Sequence, residues 1–312
     1  MRPKKFTGKI RTDPWEALAR GPREVMASLW EEYLTEVSPA VKGSGRFRLL
    51  RRRIEDAAGY QDIFGQWNVL PPAGRAAAWR RLVETARREL EATREVCLRC
   101  GECCENSSPT LLVADLPLLQ QEVLTWNEVY AMPVGDVAIS PEGKPIFLQE
   151  ERLKVREVPG TRQCWFYQAA QRRCRIYEQR PEHCRRQQCW GEPPPEPEPE
   201  EFLHRGHLFR QIPEVWDLIT AHQERCDRVK VRQTLTRLAA GEEEAGGFLF
   251  EALHFDHHLR EVLTREWGLT TAAVELLLGR SLTEFLPHLG FRAKLTPEGV
   301  FKLEPRRSCL TR

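Results

Sequence analysis

Eight of the ten cysteines in this 312-residue chain fall between Cys97 and Cys189, in two groups. The first is the run Cys97-Leu98-Arg99-Cys100-Gly101-Glu102-Cys103-Cys104, and the second comprises Cys164, Cys174, Cys184 and Cys189. Such a density of thiols restricts the fold, because each must be buried as a small apolar group, oxidised, or given a metal. Burial as a small hydrophobe is ordinary for one or two cysteines. We read the isolated Cys226 and Cys309 in that way, but it does not account for eight. Disulfides depend on compartment. The N-terminal segment MRPKKFTGKIRTDPWEAL is basic and lacks an apolar stretch, so no secretory signal is expected and a cytoplasmic location follows. No run reaches the roughly eighteen apolar residues of a membrane span. In a reducing compartment a cysteine cluster reads as metal-binding or catalytic.

Spacing then discriminates between metals. Each iron of a cubane cluster takes one thiolate, and a C-x2-C-x2-C run can deliver three sulfurs to three corners, as bacterial ferredoxins do with a fourth ligand from a distant segment. Gly101 permits the tight backbone path, and nearby N–H groups would tune the sulfurs. Structural zinc sites more commonly show two separated C-x2-C pairs. The second group here has nine, nine and four intervening residues, so that pattern is absent. An iron–sulfur cluster of the 4Fe-4S type is therefore favoured, with zinc as the alternative. Four plus four ligands would also suit two tetrahedral sites, or one cluster and one zinc. The adjacent Cys103 and Cys104 are expected to diverge in an extended segment and serve different metals or corners. His183 precedes Cys184 and is read as a neighbour of the ligands, not as one of them.

The string CLRCGECC, followed by CWFYQAAQRRCRIYEQRPEHCRRQQC, resembles the CxxCxxCC family of zinc- or iron-chelating proteins, the YkgJ-like cysteine-cluster proteins. The matching positions are Cys97, Cys100, Gly101, Cys103 and Cys104, then Cys164, Cys174, Ile176, Tyr177, Arg180, Pro181, Cys184 and Arg185. The resemblance covers residues 97–190, about a third of the chain, and implies a metal-binding module without a settled reaction. Flagellin lysine N-methylases share this type of cluster, so a protein-modifying enzyme is one implied alternative. Whether the chain is an enzyme stays open, and no catalytic residue is assigned. Tyr177, Arg180 and Arg185 lie among the ligands. An arginine there would stabilise an anionic thiolate cluster or bind an anionic substrate; equally, Arg180 and Pro181 would simply turn the backbone between Cys174 and Cys184.

The fold expected is mainly α, with small β-hairpins and irregular loops around a cysteine-ligated metal centre. Residues 1–96 form a helical region, with helices over 24–37, around Ile54, and over 75–96, the last running directly into Cys97. Residues 97–190 form the metal-binding module. Within it, 116–132 is read as helical, 134–139 and 146–158 as strands joined by a turn at Pro141-Glu142-Gly143, and 164–177 as a hairpin. Residues 191–201, GEPPPEPEPEE, read as an extended solvated linker. Residues 202–312 form a C-terminal helical extension, ending in a hairpin over 292–303 that turns at Pro297-Glu298-Gly299.

The remaining signals carry little chemistry. A net charge of +2 gives no general case for nucleic acid. Thirteen Lys/Arg against seven Asp/Glu between Lys42 and Arg99, with Arg51, Arg52 and Arg53 in a row, read as a solvated helix face, and an acidic partner surface is the lesser reading. His254 and His258 stand one helical turn apart beside Asp256 and His257, but a third ligand is missing, so they read as ordinary helix-face residues. Lys42-Gly43-Ser44-Gly45 matches no phosphate-binding loop and reads as a simple loop. The expected partner is a protein, bound by the helical flanks or acted on as substrate.

Overall fold

The computed structural model describes residues 14–140, 143–189, 195–242 and 246–306. The N-terminal sequence, Pro141 and Glu142 of the expected turn, residues 190–194 of the expected linker, and Cys309 lie outside the described residues. The architecture is mainly α with short antiparallel strand pairs and loops, as the sequence predicts. The chain divides into two compact units, and the division falls between Glu102 and Cys103.

Among the described residues, the first unit comprises 14–102 together with 168–174 and 187–189. Its helices are α1 (Pro14–Arg20), α2 (Arg23–Val37), α3 (Gly45–Ala58), α4 (Tyr60–Gln66) and α5 (Pro72–Ala92). Apolar residues at helical spacing build its core: Met26, Trp30 and Leu34 from α2, Phe47, Leu50 and Ile54 from α3, and Leu82 and Ala86 from α5. Ser44 caps α3 by accepting from the Phe47 N–H at 3.1 Å. Gly59, at φ 68°, closes α3 and starts α4 in a conformation that favours glycine. Two members of the arginine run make ion pairs, one along α3 and one to α5. Arg51 pairs with Glu55 at 2.8 Å, and Arg53 with Glu89 at 2.5 Å.

The third predicted helix needs a correction. α5 ends at Ala92 rather than at Val96, with Thr93 as its C-cap, so no helix runs directly into Cys97. Instead Glu95 (φ 58°), Arg99 (φ 56°) and Gly101 (φ 85°) each take left-handed backbone, and the cysteine loop is a series of reversals.

Among the described residues, the second unit comprises 103–140, 143–167, 175–186, 195–242 and 246–306. α6 (Glu102–Asn106) and α7 (Leu116–Gln120) precede β1 (Val129–Met132), β2 (Val137–Ile139), β3 (Pro145–Phe147) and β4 (Arg152–Val155). β1 pairs antiparallel with β4, Tyr130 opposite Lys154, and β2 with β3, Ala138 opposite Ile146. The predicted helix over 116–132 is thus only one short helix. Glu122 turns the chain at φ 57°, and Val-Tyr-Ala-Met, buried throughout, forms a strand because its β-branched and aromatic residues pack well on a pleated surface. The two-residue strands β5 (Tyr167–Gln168) and β6 (Arg173–Cys174) flank a 3-10 turn at Ala169–Gln171.

After the short α8 (Glu182–Arg186), the described part of the proline-rich segment ends in a 3-10 turn, Pro199–Glu201. Glu201 pairs with Arg186 at 2.7 Å, Phe202 is buried beneath the Arg152 guanidinium, and the Leu203 N–H donates to the Leu111 carbonyl at 3.0 Å. The chain beyond this point is mainly helical, in α9 (Arg205–Phe209), α10 (Pro213–Arg225), α11 (Arg228–Ala239), α12 (Gly246–Glu261), α13 (Thr271–Leu278) and α14 (Leu282–Phe285). A π-helical turn, Val262–Glu266, ends the long helix. The predicted terminal hairpin is β7 (Phe291–Leu295) with β8 (Phe301–Pro305), Leu295 opposite Phe301.

Candidate metal centre

Each unit carries four of the eight clustered cysteines. In the second unit these are Cys103, Cys104, Cys164 and Cys184. Cys103 and Cys104 lie on α6 and not in an extended segment, so the expectation that they diverge is corrected: their Sγ atoms are 3.9 Å apart. Helical backbone turns successive side chains by about 100° where a strand turns them by about 180°, and it is this rotation that leaves both sulfurs on one side. Buried Cys164 is tied to the same turn, its N–H donating to the Cys104 carbonyl at 2.7 Å.

Cys184 is placed by a buried acid that sequence reasoning missed. Asp115, 3% exposed, accepts the Leu112 N–H at 2.9 Å through one oxygen and the Glu182 N–H at 2.7 Å through the other. One carboxylate therefore joins the segment after α6 to the first turn of α8. No motif advertises it, because its second partner is 67 positions away in sequence. Burial raises its carboxyl, against the opposing pull of the two N–H donors.

The Cys104 thiol is pushed up by its hydrogen bond with Cys103, then by burial, then by the negative charges of Cys103, Cys164 and Cys184. The same charges that oppose ionisation of four clustered thiols become favourable once a cation sits among them. Sulfur donors of this kind select thiophilic metals such as zinc and iron over magnesium or calcium.

Cys97, Cys100, Cys174 and Cys189 belong to the first unit. The left-handed turn at Arg99 brings its N–H to 3.4 Å from the Cys97 sulfur. Arg46, 3% exposed, donates to the Val96 carbonyl at 2.7 Å and to the Thr93 carbonyl at 2.8 Å, with its Nη1 4.0 Å from the Cys189 sulfur.

The second-unit neighbours chosen from sequence are engaged with the backbone. Arg180 donates to the Tyr177 carbonyl at 2.9 Å and stacks 4.2 Å above the Tyr177 ring. Arg185 donates to the carbonyls of Arg180 at 3.1 Å and Glu178 at 3.4 Å. These contacts fix the turn that leads from Tyr177 to Cys184. His183 sits beside Cys184, its pKa lowered by burial and then by the positive charges of Lys154, Arg152 and Arg186.

Cys226 stands apart from this group. It is buried between α10 and α12, where its thiol lies 3.6 Å from the Ala252 carbonyl and is raised by burial to about 12. Nearby, His222 meets Asp256 at 2.8 Å, and Asp256 also accepts from Arg260 at 2.8 Å and from the Leu282 N–H at 2.9 Å. Although His222, Cys226 and Asp256 offer three donors within 4.8 Å, the carboxylate is fully used in holding helices together. His254 and His258 line a cleft of about 780 Å³ between α10 and α12, with Glu224, Glu251 and Phe255.

Among the described residues, no helix is long and apolar enough to cross a membrane. The chain matches no curated protein and no solved structure. Residues 96–207, which carry all eight clustered cysteines and a little over a third of the chain, are similar to the CxxCxxCC family model, "Putative zinc- or iron-chelating domain", with helical regions on either side outside the match.

Proposed function

We propose that Cys97, Cys100, Cys103, Cys104, Cys164, Cys174, Cys184 and Cys189 ligate metal, and that at least one centre they form is an iron–sulfur cluster serving redox or protein-modification chemistry in a reducing, cytoplasmic setting. The gathering of Cys103 and Cys104, whose sulfurs lie 3.9 Å apart, with Cys164, whose N–H donates to the Cys104 carbonyl at 2.7 Å, carries the metal assignment. The C-x2-C-x2-C run, with an N–H aimed at the Cys97 sulfur, supports iron–sulfur ligation. When bound, such a cluster supplies one-electron transfer. The protein's part is to hold the sulfurs, bond them through backbone N–H groups and regulate exposure to water. The helical regions 1–96 and 202–312 fit a role in docking a protein partner or protein substrate.

A second reading is favoured by one distance. Two thiolates on a single tetrahedral zinc at about 2.3 Å each stand roughly 3.8 Å apart, close to the 3.9 Å between Cys103 and Cys104. Thiolates on different cubane corners point outward and stand further apart. The alternative is a mononuclear zinc at this pair, with a structural role.

Metal and acid-labile sulfide analysis of anaerobically purified protein separates the two. About four irons and four sulfides per chain support the first reading, whereas zinc without sulfide supports the second. Protein lacking both would overturn the metal assignment. Cys100→Ser is expected to lower metal content and melting temperature together, because metal-binding energy is folding energy in such sites, while Cys226→Ser leaves metal content unchanged. Binding of S-adenosylmethionine, read by calorimetry, is the added observation that a lysine N-methylase-like activity requires.

A further inference from the structure

The first turn of α3 grips both ends of the Cys97–Cys100 loop. Before the loop, Arg46 donates one Nη to the Val96 carbonyl and the other to the Thr93 carbonyl. Just after Cys100, Glu102 accepts the Gly45 N–H at 2.6 Å, where the exposed donors and positive dipole of a helix N-terminus favour a carboxylate. The approach is close. A Cβ at Gly45 would lie 3.2 Å from that carboxylate oxygen and 3.4 Å from the Cys100 Cβ. Arg46 also turns its Nη1 toward the Cys189 sulfur, at 4.0 Å. Thus two consecutive residues of one helix, both before the family match begins at residue 96, reach Thr93, Val96, Glu102 and Cys189.

We infer that Arg46 is a positioning residue for the metal centre: it fixes the entry of the Cys97–Cys100 loop and sets a buried positive charge beside the Cys189 sulfur. A guanidinium suits this task, since its planar fork satisfies two carbonyls at once and keeps its charge when desolvated. A centre built of thiolates carries excess negative charge, which a nearby cation offsets. The N-terminal helical region is then part of the metal site's support, and a segment cut at the family boundary would lack it. This inference rests on the metal-binding reading above.

The test uses full-length protein carrying its native metal. Arg46→Gln removes the charge and the fork, and Arg46→Lys keeps the charge alone. Arg53→Gln, which lies on the same helix as Arg46 and breaks the Arg53–Glu89 pair between α3 and α5, is the control for general loosening. Metal release to a chromophoric chelator is expected to be about ten-fold or more faster in Arg46→Gln, intermediate in Arg46→Lys and unchanged in Arg53→Gln. For an iron centre, the midpoint potential falls in Arg46→Gln and is partly restored in Arg46→Lys. For zinc, the charge-transfer band after cobalt substitution shifts in the same order. Release from Arg46→Gln no faster than from Arg53→Gln, or an unmoved potential or band, overturns the role of Arg46 and leaves the metal assignment intact. Wild-type protein without metal overturns both.

Discussion

Replacing Asp115 tests whether a single buried carboxylate positions the Cys184 helix. Its two oxygens accept N–H groups from Leu112 and Glu182 at 2.9 and 2.7 Å. Hydrogen bonds to charged groups contribute about 1.5–3 kcal/mol each, so the pair represents roughly 3–6 kcal/mol before costs. Burying the charge outweighs those bonds, since burial is the largest influence on the Asp115 carboxyl and leaves it above its usual value; what alanine loses is the partner of two buried N–H groups, at about 1–3 kcal/mol each. Asp115→Ala is therefore expected to destabilise by about 2–4 kcal/mol. Asp115→Asn retains one accepting oxygen and presents an amide donor to the other N–H, so about half that loss is expected. Urea unfolding followed by far-ultraviolet circular dichroism measures both, and metal release should quicken in the same order as α8 loosens. An alanine variant within about 0.5 kcal/mol of wild type, the range of ordinary surface changes, would refute the reasoning, as would an asparagine variant as unstable as alanine.

Further expectations concern the second unit. Burial alone would raise the Asp256 carboxyl, but His222 and Arg260 outweigh it and hold it at about 2, below the usual 3.8; its stabilisation is present above pH 3.8 and is lost as pH falls through about 2. Burial lowers His222 below 6.5, so the unfolded chain binds a proton first and stability falls as pH drops below 6.5. Melting temperature should decline from pH 7 to pH 5, and His222→Gln should flatten that slope. Gly279→Ala places a Cβ 2.8 Å from the Pro133 Cδ on left-handed backbone at φ 74°; a loss of about 2 kcal/mol or more in urea unfolding is expected, with metal content retained.

Much of the helical skeleton was legible because local signals and burial agree. The period of Val25, Leu29, Leu34 and Val37 marks α2, although its buried face is Met26, Trp30 and Leu34 and Val37 is exposed, and Pro297-Glu298-Gly299 marks a turn that the β7–β8 pairing confirms. Readings failed where tertiary partners override propensity. Val129–Met132 reads as helix in its neighbourhood, yet a strand with four buried side chains pairs it with Arg152–Val155. α5 reads as continuing to Val96, yet Arg46 claims the carbonyls of Thr93 and Val96 in the turn that replaces it.

Eight clustered thiols and two long helical flanks are legible in the chain alone, since thiol count and helical period are properties of the sequence. How those thiols are held depends on contacts between segments far apart in the chain. Cys103 and Cys104 face the same way because α6 is helical, Cys184 is placed by an acid far away in sequence, and Arg46 reaches Cys189 across 143 positions. Such contacts form when separate segments bury their polar groups against one another, and no local pattern encodes them.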